Sequence, residues 1–337
     1  MQSNERTDNL SQGRFAPLRR CAITVGDLGE FGLIARSVGR LPVGRQVLLG
    51  PGDDAAVVAA PDGRVVATTD LLVEGRHFRR DWSSGYDVGR KAAAQNLADV
   101  AAMGAVPTAL LVGLGCPPDL PIDWTDQLTA GLADECGPLG VGVAGGDTVR
   151  ADPIVIAITA LGHLEGRAAV RRSGARPGDV VAVAGRLGWS AAGLELLGRR
   201  VAGPEEVLAA HRRPTPPYEE GPAAARLGAT ALIDVSDGLL ADLGHVARAS
   251  GVGIALDRSA FEVPAALRVA ADLVEADPYD WILTGGEDHA LAATFPAGTD
   301  LPPTWRPVGN VVAGRGVLVD GKRFAREGFD HFGETTG

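Results

Sequence analysis

From Gly26 onward the chain alternates between two rhythms of apolar residues, one with helical spacing and one with strand spacing. GEFGLIARSVG (29–39) reads as a short amphipathic helix, and VGRKAAAQNLADVAAMG (88–104) sets Val88, Ala92, Leu97, Val100 and Ala101 at helical intervals. WTDQLTAGLADECGPLG (124–140) predicts a third helix ending near glycine. AAVVAA (55–60) and RVVATTD (64–70) read as two strands joined by a Pro-Asp-Gly turn. ALLVGLG (109–115), VGVAGGDTV (141–149) and IVIAITALGHL (154–164) read as further strands.

The stretch RRSGARPGD (171–179), rich in Gly, Pro and Arg, reads as a boundary. A second set follows it: strand DVVAVAG, helix SAAGLELL, strand and loop ALIDVSDG (231–238), helix LLADLGHVARAS and strand GVGIALD. WILTGGEDHALAATF (281–295) is expected to run strand, Gly-rich loop, strand, and GVLVDGKRF (316–324) to form a hairpin on its Asp-Gly turn. The expected organisation is a loose extension over 1–22, an N-terminal domain over 23–170 and a C-terminal domain over 171–337, both mixed α/β. A length of 337 residues also suggests two domains rather than one core.

Charge narrows the function. A net charge of −10 disfavours sequence-independent binding to nucleic acid, so any phosphate chemistry needs cations. Lys91 and Lys322 are the only lysines, a skew read as coding bias. Cys21, Cys116 and Cys136 lack zinc-site spacing, which points to free thiols in a reducing, cytoplasmic setting. The start of the chain shows no apolar leader segment. The uncharged run from Val100 to Pro118 is broken by glycine and proline and reads as helix end, turn and buried strand rather than a membrane span.

The candidate chemistry lies in loops of acid and glycine: GDDAAVV (52–58), TTDLLVEGRHF (68–78), NLADVAAMG (96–104), AGGDTV (144–149), DVSDG (234–238) and the variant TGGEDH (284–289). Singly, each is ordinary turn chemistry. Together they offer carboxylates and hydroxyls on loops with no lysine nearby, a set that suits Mg²⁺ held jointly by protein and substrate phosphates. Their glycines let backbone approach phosphate. Two decoys fail. GVLVDGK is followed by Arg323 where a P-loop needs Ser or Thr, and the twelfth position counted from Asp234 is His245 where an EF-hand needs Glu. His77 and His289 adjoin the acid loops, although a lone histidine is more often structural.

As a set, GEFGLIAR, GDDAAVV, TTDLLVEGRHF, NLADVAAMGA, GGDT, RSGARPGD, DVSDGLLADLGH, GGED and GFDHF resemble, in order, the thiamine-monophosphate kinase family over about residues 26–332. The resemblance implies the two-domain α/β fold shared with aminoimidazole ribonucleotide synthetase and selenophosphate synthetase, with N-terminal domains pairing into a homodimer. It implies transfer of phosphate from ATP to thiamine monophosphate, giving thiamine diphosphate, with several Mg²⁺ ions per site. The implied metal ligands are Asp54, Thr68, Thr69, Asp70, Asp99, Asp147, Asp234 and Asp237, with Asp53 either a ligand or a support. ATP is implied to meet Gly146, Asp147, Arg172 and Ser236, and thiamine monophosphate to meet His77, Glu287 and Phe329. Cys136 stands where many relatives carry an aromatic near the adenine, which leaves the nucleobase contact open. The expected chemistry is direct in-line transfer, without a protein nucleophile, by positioning and by charge neutralisation at the metals and Arg172. The alternatives are another enzyme of the same group, the synthetase above all, or a protein that binds Mg·ATP without turnover.

Overall fold

The computed structural model describes residues 23–51 and 55–324. The first half contains α1 (Val25–Val38), β1 (Val47–Leu49), β2 (Val57–Val58), β3 (Val66–Val73), α2 (Gly85–Ala102), β4 (Val106–Cys116), α3 (Ile122–Cys136), β5 (Gly142–Arg150) and β6 (Val155–His163). The second half contains β7 (Val180–Ala184), α4 (Trp189–Arg199), α5 (Glu205–Arg212), α6 (Glu220–Arg226), β8 (Ala231–Val235), α7 (Leu239–Ser250) and β9 (Gly253–Leu256). It ends with α8 (Ala265–Val274), α9 (Pro278–Thr284), β10 (Ala290–Phe295), β11 (Trp305–Val312) and β12 (Gly316–Val319).

The N-terminal sheet has the order β3-β6-β4-β5, with β4 and β5 parallel and the other pairs antiparallel. Its alternation gives it two unlike faces. Ile156, Ile158 and Ala160 on β6 join Leu72 and Leu110 in a core with Leu97 of α2 and Leu128 of α3. On the other face Leu71, Leu111 and Val149 stay 51%, 37% and 53% exposed.

The α2–α3 pair is packed so closely that glycine is required at the contacts. An added Cβ at Gly85 would stand 2.1 Å from Trp124 O, at Gly89 2.2 Å from Leu128 O, and at Gly131 2.2 Å from Tyr86 O. A capping box starts α2: Ser84 Oγ accepts the Asp87 N–H at 3.2 Å, and the Asp87 carboxylate accepts the Ser84 N–H at 2.9 Å.

The C-terminal sheet has the order β12-β9-β11-β7-β10-β8, antiparallel except for β12 with β9. Helices α4, α7, α8 and α9 cover one face through Leu196, Leu239, Leu243, Leu267 and Ile282. The opposite face carries Leu232, Leu291, Phe295 and Trp305 and packs on Ala224 of α6 and Ala102 at the end of α2. Helix α2 therefore lies in the seam between the two halves and touches β8, α5 and α6 as well as its own sheet.

Three local expectations are corrected. The strands at 55–60 and 64–70 do not pair with each other: β2 pairs with β1, while β3 runs in register with β6 from Val66↔Gly162 to Val73↔Val155. A two-residue strand cannot compete with that long ladder. The turn at 60–63 exists, with Gly63 N–H donating to Ala60 O at 3.0 Å, but the Asp62 carboxylate accepts the N–H groups of Leu164 and Gly166, both at 3.1 Å, and ties the turn to the loop after β6. The segment at 281–284 ends a helix, α9, because Asp277 caps the Tyr279 N–H at 2.9 Å and Pro278 opens the first turn. Around Asp320-Gly321 the chain does reverse, but β12 takes its ladder from β9 in parallel.

No helix of the described residues is long and apolar enough to cross a membrane; the run from Val100 holds a helix end, a turn and β4. Cys116 and Cys136 are free and buried, and Cys21 lies outside the described residues.

Replacing Gly131 by Ala tests the helix contact. Helix propensity alone would make Ala stabilising by about 1 kcal/mol. The clash with backbone should reverse the sign and cost about 1–3 kcal/mol, read by urea unfolding. A variant as stable as the parent would refute the close approach.

Candidate active site at the seam

The pleat of β3 sends Thr68 and Asp70 toward α2 and Thr69 toward the outer face. On the inner side Thr68 Oγ1 donates to Asp99 Oδ2 at 2.7 Å. One turn before Asp99, Asn96 Oδ1 accepts the Asp70 N–H at 3.0 Å and is itself fixed by donating Nδ2–H to Ala92 O at 2.9 Å. From the second half, Asp234 lies on the β8 face that carries Leu232, so it too is directed at α2. Its carboxylate meets His289 Nδ1 at 3.2 Å.

Three carboxylates from both halves thus share a poorly solvated seam. Burial, then Asp234 and Asp70, push the Asp99 carboxyl up to about 7 against the opposing Thr68 bond and His289. Asp70 is raised as well, first by burial, with Asp234 adding to it and His289 and His77 opposing. Oxygen donors that repel each other in this way suit a hard cation. Among the described residues, no three His, Cys, Asp or Glu side chains close a metal cage on their own.

The two glycine-acid loops of the second half are laced together. Glu287 N–H donates to Ser236 O at 2.9 Å and His289 N–H to Val235 O at 3.1 Å. A Cβ at Gly286 would stand 2.1 Å from Ser236 O, and one at Gly238, where φ is +123°, 2.4 Å from Thr284 O. Glu287 and His289 are themselves left-handed, at φ 64° and 52°. Asp242 on α7 accepts the N–H groups of Asp237 and Gly238, both at 3.1 Å, and so holds the loop that presents Asp237. Burial, then Asp234, push the Asp242 carboxyl up to about 7.

The expected site residues fall into groups. Thr68, Asp70, Asp99 and Asp234 come together, with His77 close enough to act on Asp70. Asp237 and Ser236 sit on the adjoining loop. Thr69 faces outward, donating to Ile158 O at 3.0 Å and accepting from Thr159 Oγ1 at 3.1 Å. Asp147 is exposed on β5, in the same sheet row as Leu71 of β3. Because β3 and β5 are opposite edges of the sheet, three strand spacings or roughly 14 Å apart, Asp147 and Asp70 of one chain do not share an ion. Gly146 admits no side chain, since a Cβ would stand 1.9 Å from Val112 O. Arg172 is exposed beside α7, where its carbonyl accepts from Ser250 Oγ at 3.1 Å. Cys136 is wholly buried in the core, with burial pushing its thiol up to about 12, so it offers no surface to a base. Asp53, Asp54 and Phe329 lie outside the described residues.

The expectation of acid loops without a lysine nearby is overturned. Lys91 Nζ donates to Glu287 Oε2 at 3.0 Å and to the carbonyls of His77 and His211, both at 3.3 Å. His211 and Asp242 were also missed. Asp242 had a signal, an acid in the first turn of the helix after DVSDG; His211 had none, because its partners are distant in sequence.

Mixed sheets and helices around an acid-lined seam define a class. Residues 52–164 match the family described as AIR synthase related protein, N-terminal domain. The chain is 50% identical over 314 residues to thiamine-monophosphate kinase of Mycobacterium tuberculosis, covering 92% of this chain and 94% of that one. With that of Escherichia coli K12 it shares 39% over 275 residues, 80% of this chain and 83% of the relative. Among solved structures, thiamine-monophosphate kinase of Stenotrophomonas maltophilia superposes with a TM-score of 0.73 at 34% identity, covering 86% and 95% of the two chains. AaThiL complexed with AMPPCP and TMP gives a TM-score of 0.75 at 34% identity, covering 91% and 98%. The chain belongs to the thiamine-monophosphate kinase family.

Asp242 gives a test of the loop anchor. Asp242→Ala should lose about 1–3 kcal/mol of stability by orphaning two N–H groups, whereas Asp242→Asn keeps an acceptor oxygen and should lose less than half as much. Equal losses in thermal unfolding would show that the anchor is not a hydrogen-bonding one.

Proposed function

We propose that this protein transfers the γ-phosphate of ATP to thiamine monophosphate, forming thiamine diphosphate in cytoplasmic cofactor synthesis. The observation that carries the reading is kinship along nearly the whole chain with thiamine-monophosphate kinases; the acid seam supplies its chemistry. A terminal phosphate oxygen of the substrate is already ionised near neutral pH and attacks the γ-phosphorus in line, so no strong base is needed. Two anions must then be brought together in a dry site, where their repulsion is the chief obstacle.

Thr68, Asp70, Asp99, Asp234 and Asp237 are the proposed holders of Mg²⁺ on the inner side of the seam, and Asp54 is proposed as a further ligand. Thr69 and Asp147 belong to the outer sheet face and would serve a separate ion. Mg²⁺ held by these residues would supply positive charge against the phosphates. Gly146, Asp147, Arg172 and Ser236 are the proposed nucleotide contacts, and His77, Glu287 and Phe329 the proposed contacts to thiamine monophosphate. Asn96 and Asp242 hold their neighbours in place without touching the reacting atoms. The exposed Leu71, Leu111 and Val149 support pairing of two chains through the outer sheet face.

Purified protein with ATP and Mg²⁺ should make thiamine diphosphate from thiamine monophosphate but not from free thiamine, and chelator should abolish it. Asp70→Asn should lower kcat by about 100-fold or more while leaving the melting transition in place. Binding of Mg·ATP without product, or near-normal turnover by the variant, would overturn the assignment, and a trapped phosphoenzyme would exclude in-line transfer. Light scattering should give twice the chain mass, and a charged residue in place of Leu71 should reduce it to one.

A further inference from the structure

Lys91 belongs to none of the motifs that define the site, yet it is 2% exposed on α2, at the centre of the seam. A buried ammonium is costly unless every N–H is used. Here the three donors of one ammonium meet three acceptors: Glu287 Oε2 at 3.0 Å, His77 O at 3.3 Å and His211 O at 3.3 Å. The acceptors come from the loop after β3, the last turn of α5 and the loop between α9 and β10. One side chain therefore joins the first half to two segments of the second.

Glu287 has particular need of that contact. Its backbone is left-handed, a conformation that costs about 1–3 kcal/mol for a residue with a side chain and persists only where its surroundings enforce it. Its side chain is 34% exposed. Burial works to neutralise it, but Lys91 and then His211 hold it down to about 2. The His211 ring stands 3.5 Å from the same oxygen. Burial, with Lys91 adding to it, drives that ring down to about 3, so Lys91 is the principal charge facing Glu287, with His289 adding to it. Arginine would keep the charge but not all three contacts, because a planar fork cannot aim at three acceptors spread around one nitrogen. A chain that otherwise uses arginine almost throughout keeps lysine here.

We propose that Lys91 is a positioning residue for the monophosphate acceptor. It fixes the His77 loop and the Glu287 carboxylate at a set separation across the seam, so that both meet one substrate molecule. The inference rests on the reading of His77 and Glu287 as contacts to thiamine monophosphate.

Steady-state kinetics on wild type, Lys91→Met, Lys91→Arg, Glu287→Gln and the Lys91→Met/Glu287→Gln double variant test it. Lys91→Met should raise KM for thiamine monophosphate by about tenfold or more and leave KM for ATP within about twofold. Glu287→Gln should do the same, and the double variant should be no worse than the weaker single, because both changes break one contact. Lys91→Arg should show a smaller rise, again confined to thiamine monophosphate, and it decides the matter if Lys91→Met does not fold. Unchanged KM in the folded variants, equal rises for both substrates, or additive effects in the double variant would overturn the role of Lys91 while leaving the kinase reading intact. Absence of product from wild type would remove the kinase reading and this inference with it.

Discussion

Helix α2 has almost no side facing water. Fourteen of its eighteen residues are buried, against the N-terminal sheet and α3 on one side and against the second half on the other. A helix enclosed in this way must be lined with small residues where backbones approach, and each polar group on it must find a partner. Gly85, Gly89 and the alanine run meet the first demand. Lys91, Asn96 and Asp99 meet the second, and each reaches a loop or strand that presents a candidate site residue. The polar groups that make the seam chemically interesting are the ones whose burial has to be compensated by partners in both halves.

That compensation is incomplete by design of the residues present. Lys91 and His289 pair with one acid each, Glu287 and Asp234, whereas Asp70 and Asp99 face Asp234 with only the histidines His289 and, for Asp70, His77 opposing the repulsion. The raised carboxyl of Asp99 reflects its burial first and the repulsion from Asp234 second. Mg²⁺ held by Asp70, Asp99 and Asp234 would supply the positive charge that offsets this repulsion.

The sequence was informative where a signal is local. Helical spacing located α2, α3 and α7, and the acid-glycine loops located most of the residues that meet in the seam. Long-range pairing was not legible, because whether β3 pairs with β2 or β6 depends on the length of a ladder ninety residues away. Thr68, Thr69 and Asp70 are consecutive on a strand, so the pleat places Thr69 on the opposite sheet face from its neighbours although the three read as one motif. Lys91 illustrates the opposite case: nothing in its local pattern distinguishes it from a solvated helix residue, and only the fold reveals its three acceptors.

The α2–α3 contact carries a consequence for how such a chain can change over generations. Its spacing is set by main-chain atoms, through the carbonyls of Trp124, Leu128 and Tyr86 standing over glycines, and not by the volumes of neighbouring side chains. Substitutions elsewhere in the N-terminal core can accumulate without altering the distance between these two helices. The platform that carries Lys91, Asn96 and Asp99 is thereby insulated from sequence drift around it, and the burden of invariance falls on three residues that have no side chain at all.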